Sequence, residues 1–172
     1  QLLGWEDPGA AYTAVIQIGT ELAVVLYFWR DIWTIGSGWV RGVFSKDARQ
    51  APEWRMGWFI IIGSMPIVLL GIGLESLIDR QFRNLWFIGS MLIIMGLVLG
   101  LAERYGRKTS PISDLTFTHA IAFGFAQACA LVPGVSRSGA TISMGLFLGY
   151  ERQAATRYAF LLAIPAVVGA GI

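Results

Sequence analysis

Apolar residues along this chain come in long blocks separated by short charged stretches. The first block, about residues 13–33, is interrupted only by Gln17, Thr20 and Glu21, with Tyr27, Trp29 and Trp33 toward its far end as interfacial rings. Blocks at about 56–74 and 85–101 follow, each close to the roughly 20 residues that a transmembrane helix needs. Pro66 in the second block predicts a kink, because proline removes a helix hydrogen bond. Gly63, Ser64, Gly71 and Gly73, and then Gly96 and Gly100 in the third block, are small residues that predict close helix contact.

The intervening stretches set the expected sidedness. Arg30 to Arg55 reads as a linker in which Arg30, Arg41, Lys46, Arg49 and Arg55 outnumber Asp31, Asp47 and Glu53, a bias that marks the cytoplasmic side. Glu75 to Asn84 is balanced in charge and suits the opposite side, while Arg104, Arg107 and Lys108 bring the chain back. A last apolar block, about 154–172, predicts an incomplete span because it is still apolar at Ile172. With no initiator methionine at Gln1, the chain is expected to be an internal piece of a longer protein.

One region departs from the span pattern. Phe117 to Val132 and Ile142 to Tyr150 are apolar, but each is too short to cross a hydrocarbon core of about 30 Å. Between them lies Pro133-Gly-Val-Ser-Arg-Ser-Gly-Ala-Thr141. A re-entrant helix-loop-helix hairpin over about 117–150 fits this pattern, since non-helical backbone survives at membrane depth only where protein or a watery cavity covers it.

Composition supports an integral membrane protein, all-α, as a single membrane domain over 1–172. Hydrophobic residues make up 55% and charged residues 14%, and mean hydropathy is +0.61, values outside the range of soluble domains. A net charge of +2, with the basic residues scattered through the linkers, argues against a nucleic-acid partner. The single cysteine, Cys129, cannot form an intrachain disulfide and is expected to be a small buried hydrophobe.

The hairpin loop carries the candidate chemistry. Pro133 stops the incoming helix and Gly134 lets the backbone turn, which presents Ser136, Arg137 and Ser138 at the tip. Ser138 is the expected N-cap of an outgoing helix beginning near Gly139, whose free N–H groups favour an anion. Arg137 adds a planar fork suited to phosphate oxygens, and Ser136, Ser138 and Thr141 add hydroxyls. Gln127 can reach the loop from the incoming helix with an amide. Glu21 is a second candidate, an intramembrane acid sharing a helix face with Gln17. His119, the only histidine, is expected at the interface rather than as a base at the loop.

The segment Gly124-Phe-Ala-Gln-Ala-Cys-Ala-Leu-Val-Pro-Gly-Val-Ser-Arg-Ser-Gly-Ala-Thr141 resembles the Pro-Gly-x-Ser-Arg-Ser-x-x-Thr signature of the bacterial undecaprenyl pyrophosphate phosphatases, the bacitracin-resistance family. The likeness extends over Val15 to Arg30, the Pro66 span and Phe160 to Val167. It implies hydrolysis of a polyprenyl diphosphate lipid to the monophosphate for cell-wall synthesis, in the bacterial plasma membrane, by a multi-pass protein. It also implies an inverted-repeat fold, of which this chain is half to two-thirds, and a divalent cation, Mg or Ca. A homodimer is a further expected assembly.

For the intact protein the donor chemistry of the loop assigns Arg137 and Ser136 to catalysis and Gly134, Ser138, Thr141 and Gln127 to the substrate phosphate. The family's other signature, an acidic Glu-x-x-x-Glu stretch followed by Pro-x-Ser-Ser-x-Gly-His, is absent. The nucleophile and metal ligands are therefore expected upstream of Gln1, no metal ligand is identifiable here, and the chain alone is expected to be inactive. The rival reading is a transporter or flippase for a phosphorylated lipid or anion, because broken helices with anion-binding ends also build transport sites.

Overall fold

The computed structural model describes residues 19–20, 22–81 and 85–170. Six helices follow in order: α1 (Trp29–Phe44), α2 (Pro52–Gln81), α3 (Leu85–Tyr105), α4 (Phe117–Ala128), α5 (Arg137–Phe147) and α6 (Arg152–Ala170). Short 3-10 turns occupy Asp47–Gln50, Ile112–Asp114 and Cys129–Leu131. Among the described residues the β-structure consists of an isolated parallel bridge between Ser110 and Tyr150. The all-α membrane reading holds, with α2 over Pro52–Gly73 and α3 over Leu85–Tyr105 long and apolar enough to cross a bilayer.

Several boundaries differ from those predicted. The expected linker from Arg30 to Arg55 contains α1, separated from helical residues 22–27 by a bend at Phe28. Its apolar residues recur with helical spacing, and that periodicity outweighs the basic charges that suggested a loop. α2 begins at Pro52, where a missing N–H costs nothing, after an extended Ala51 with φ −70 and ψ 142. It runs on through Gln81, past the predicted end of the span, since Glu75 to Gln81 contains no glycine or proline to stop it. Pro66 stands inside this continuous helix. α6 starts at Arg152 rather than Ala154.

Close approach of α2 and α4 organises the interior. A Cβ on Gly124 would stand 2.3 Å from the Gly63 carbonyl oxygen, so both backbones meet where neither residue has a side chain. Phe59, Leu115, Ala120, Phe123, Tyr150, Ala154, Ala155, Tyr158 and Leu162 form the buried apolar cluster around this crossing. Tyr158 Oη donates to the Phe59 carbonyl at 2.7 Å and locks α6 to α2.

Among the described residues Gly96 and Gly100 meet no packing neighbour, with nothing within 4 Å of an added Cβ at either. α3 engages α5 through other residues and leaves Leu92, Ile93 and Leu97 exposed. Gly73 is likewise open. Cys129 is exposed rather than buried, at the start of the 3-10 turn, with its thiol 3.4 Å from the Phe125 carbonyl.

Candidate functional site

The connection from α4 to α5 is built from the top of α4 downward. Thr116 caps α4 by accepting the His119 N–H at 3.2 Å. α4 tightens into the 3-10 turn at Cys129–Leu131, and a reverse turn follows in which Val135 N–H donates to the Val132 carbonyl at 3.1 Å. Pro133 takes its second position and Gly134, with φ +92, its third, the arrangement of a type II turn. Glycine is needed here twice over: the positive φ disfavours a side chain, and a Cβ would stand 2.6 Å from the Ile88 carbonyl oxygen of α3.

The cap of α5 is Ser136, not Ser138. Ser136 Oγ accepts the Gly139 N–H at 3.1 Å, and the helix starts at Arg137, one residue after the cap. The type II turn places Ser136 in extended conformation, φ −70 and ψ 120, which is what an N-cap requires. Ser138 therefore lies in the first turn, exposed, with its hydroxyl 3.4 Å from that of Ser136. Among the described residues, the N–H groups of Arg137 and Ser138 take no backbone partner.

Arg137 is half-buried, and among the described residues its guanidinium has no carboxylate or hydrogen-bond partner. Thr141 is fully buried, and its hydroxyl donates to the carbonyls of Arg137 at 2.9 Å and Ser138 at 3.2 Å. Its hydrogen is thus committed to bracing the first turn. Gln127 is 0% exposed, and among the described residues neither its amide nitrogen nor its amide oxygen has a partner. An unsatisfied buried polar group costs about 1–3 kcal/mol, so this amide marks a place where a partner belongs. Gln17 and Glu21 lie outside the described residues.

The two ends of the hairpin are fastened together at the opposite end of α3. Thr109 and Ser110 N–H groups donate to the Gly149 carbonyl at 2.9 and 3.0 Å, and Glu151 N–H donates to the Ser110 carbonyl at 2.9 Å. Glu103 bonds both Lys108, at 2.8 Å, and Arg152. Between Ile88, which touches Gly134, and Glu103 the helix rises about 22 Å at 1.5 Å per residue. The loop therefore sits far from the charged end at which its own flanking helices begin and finish.

Sequence reasoning missed Tyr150, which accepts no role from any motif. Its hydroxyl lies 2.7 Å from His119 Nδ1 and 3.2 Å from the Asp114 carbonyl, closing the hairpin across the ends of α4 and α5. A histidine near the start and a tyrosine near the end of one helical pair were the available signal.

Among the described residues no three His, Cys, Asp or Glu side chains come together. The loop offers hydroxyls, amides and a guanidinium, a donor set that fits an anion and does not fit a protein-held divalent cation.

Residues 1–172 match the model of the family described as bacitracin resistance protein BacA. The undecaprenyl-diphosphatase of Nocardioides sp. is 60% identical over 172 residues, covering 100% of this chain and 63% of that protein. Those of Pseudarthrobacter chlorophenolicus and Micrococcus luteus are 53% identical over 167 residues and 55% identical over 166 residues, covering 97% and 96% of this chain and 60% of each relative. The chain spans less than two thirds of the length of these relatives.

Proposed function

The chain belongs to the bacitracin resistance protein BacA family, and from that premise we propose that the protein hydrolyses undecaprenyl diphosphate to undecaprenyl phosphate and inorganic phosphate. The observation that carries this reading is Arg137, a guanidinium without a partner among the described residues at the first turn of α5, between the exposed hydroxyls of Ser136 and Ser138. The relatives named above as undecaprenyl-diphosphatases support the substrate. The product would return a lipid carrier to cell-wall synthesis.

In this reading the N–H groups of Arg137 and Ser138, the positive end of α5 and the guanidinium fork hold the terminal phosphoryl group. The same groups stabilise the charge that accumulates on its equatorial oxygens as the bond to the bridging oxygen breaks. Ser136 sets the start of the helix and Thr141 braces its first turn, so the donors are pre-aligned. Gln127, near the end of α4, holds a buried amide whose donor and acceptor have no partner among the described residues. The loop holds no carboxylate or imidazole, so in this reading the attacking group comes from elsewhere in the full-length protein. The described residues do not fit a protein-held cation, and no step is routed through one.

The same geometry supports a placement in the membrane. If the Glu103 end of α3 marks the edge of a hydrocarbon core of about 30 Å, a loop about 22 Å further along lies within it, which supports a re-entrant hairpin. The protein is then a multi-pass protein of the bacterial plasma membrane. Arg137→Ala in the full-length protein in detergent should abolish phosphate release from the lipid diphosphate. Near-normal turnover would overturn the assignment, and binding without turnover by the wild type would favour transport.

A further inference from the structure

We propose that α1 is an interfacial helix that seats in the headgroup layer of the bilayer and binds anionic phospholipid. Trp29, Trp33, Val40 and Phe44 are 55%, 73%, 49% and 85% exposed. At 3.6 residues per turn these four lie within about 60° of one another, a single apolar stripe. Arg30, Thr34, Ser37 and Arg41 occupy the adjoining face, also within about 60°. The third face packs inward: Gly38 lies against Glu53, Gly42 against Trp54, and Trp39 stacks on Trp54 with centroids 6.0 Å apart.

The direction of α1 follows from those contacts. They fall at Glu53, Trp54, Gly57 and Trp58, the first two turns of α2, although α1 itself is 16 residues long. α1 therefore crosses the head of α2 instead of running down its side. Because α2 is a helix long and apolar enough to span the membrane, a helix laid across its head lies near the plane of the membrane surface. Arg49 Nε donates to the Gly42 carbonyl at 2.9 Å, which holds the far end of α1 down against the connection to α2.

Charge selects the occupant. Asp31, the acid within α1, is paired with Arg157, so it does not neutralise its arginine neighbours. Among the described residues Arg30 and Arg41 have no carboxylate partner; Arg41 bonds Ser37 Oγ at 3.2 Å, and Arg30 lies 5.5 Å from the centre of the Trp29 ring. A stripe of exposed aromatics edged by guanidinium groups that no described carboxylate neutralises matches the acyl boundary and phosphate layer of an anionic leaflet. An apolar stripe of this kind has no such match in water.

The test uses the full-length protein in nanodiscs of phosphatidylcholine and phosphatidylglycerol, in a background whose native cysteines, the exposed Cys129 included, are replaced by serine, with single nitroxides placed by Trp33→Cys, Val40→Cys, Phe44→Cys, Thr34→Cys and Ser37→Cys. Labels at 33, 40 and 44 should collide with oxygen in preference to a water-soluble nickel chelate, and labels at 34 and 37 should show the reverse. High chelate collision at 40 and 44 would overturn the seating by placing the stripe in water. Low collision with both probes would overturn it in favour of a protein neighbour, whether a further segment of the chain or a second copy. R30Q and R41Q should each lower the preference for spin-labelled phosphatidylglycerol over phosphatidylcholine about fivefold, and the double variant about 25-fold. An unchanged preference would overturn the anionic-lipid assignment.

Discussion

His119 Nδ1 and Tyr150 Oη stand 2.7 Å apart and join the first turn of α4 to the residue beyond the end of α5. Tyr150 also donates to the Asp114 carbonyl at 3.2 Å, so its oxygen accepts from an imidazole protonated at Nδ1. Tyr150→Phe removes both bonds at a side chain that is almost fully buried. It should destabilise the full-length protein by about 1–3 kcal/mol. Thermal unfolding in detergent measures this, and His119→Ala combined with Tyr150→Phe should cost less than the sum of the two single changes. Full additivity would show that the two side chains do not act as a pair.

Gly124 and Gly96 should respond in opposite directions to the same added methyl group. At Gly124 a Cβ meets the backbone oxygen of Gly63 at 2.3 Å, and neither helix can yield without shifting the crossing. Gly124→Ala should cost about 1–3 kcal/mol by overpacking. At Gly96 nothing lies within 4 Å. Gly96→Ala should gain about 0.5–1 kcal/mol from lost unfolded-state freedom, and a loss there would mean that the residue packs against a surface absent from this chain.

Ser136 and Ser138 separate a structural from a binding hydroxyl. Ser136→Ala removes the cap of α5 and should lower stability by about 1 kcal/mol together with phosphate release. Ser138→Ala leaves the cap in place and should reduce phosphate release while the unfolding midpoint stays unchanged. Equal midpoints for the two variants would contradict the assignment of the cap.

The shape of the Arg137 guanidinium should matter as well as its charge. Arg137→Lys keeps a cation at the first turn of α5 but loses the planar fork. Phosphate release should fall about 100-fold, the effect typical of removing one stabilising donor from a charge-developing site. Activity within threefold of wild type would reduce the role of Arg137 to a point charge.

Most of the helical plan was legible along the chain because hydrocarbon length constrains apolar blocks directly. Residues 85–101 and the 117–150 pair are examples, the latter with Pro133 and Gly134 at the break. The reading failed where two local signals competed. At Arg30 to Arg55 basic charge suggested a loop, while the helical spacing of Trp29, Trp33, Val40 and Phe44 on one face and of Ile35 and Trp39 on another formed α1. At Gly96 and Gly100 a packing pattern was present, but the face that carries it has no neighbour among the described residues.

The sequence by itself determined that this is an all-α membrane chain with a hydroxyl-and-guanidinium loop suited to phosphate. Residue type and spacing are sufficient for that, because apolar length and donor chemistry are local properties. Only the tertiary structure decided that Ser136 caps α5, that Thr141 is committed to the backbone and that Gln127 is buried with no partner among the described residues. It also decided that the loop rests against Ile88 while its ends close through His119 and Tyr150. Those assignments depend on which helices touch and which hydrogen bonds are already taken, and both are settled by contacts between residues far apart in the chain.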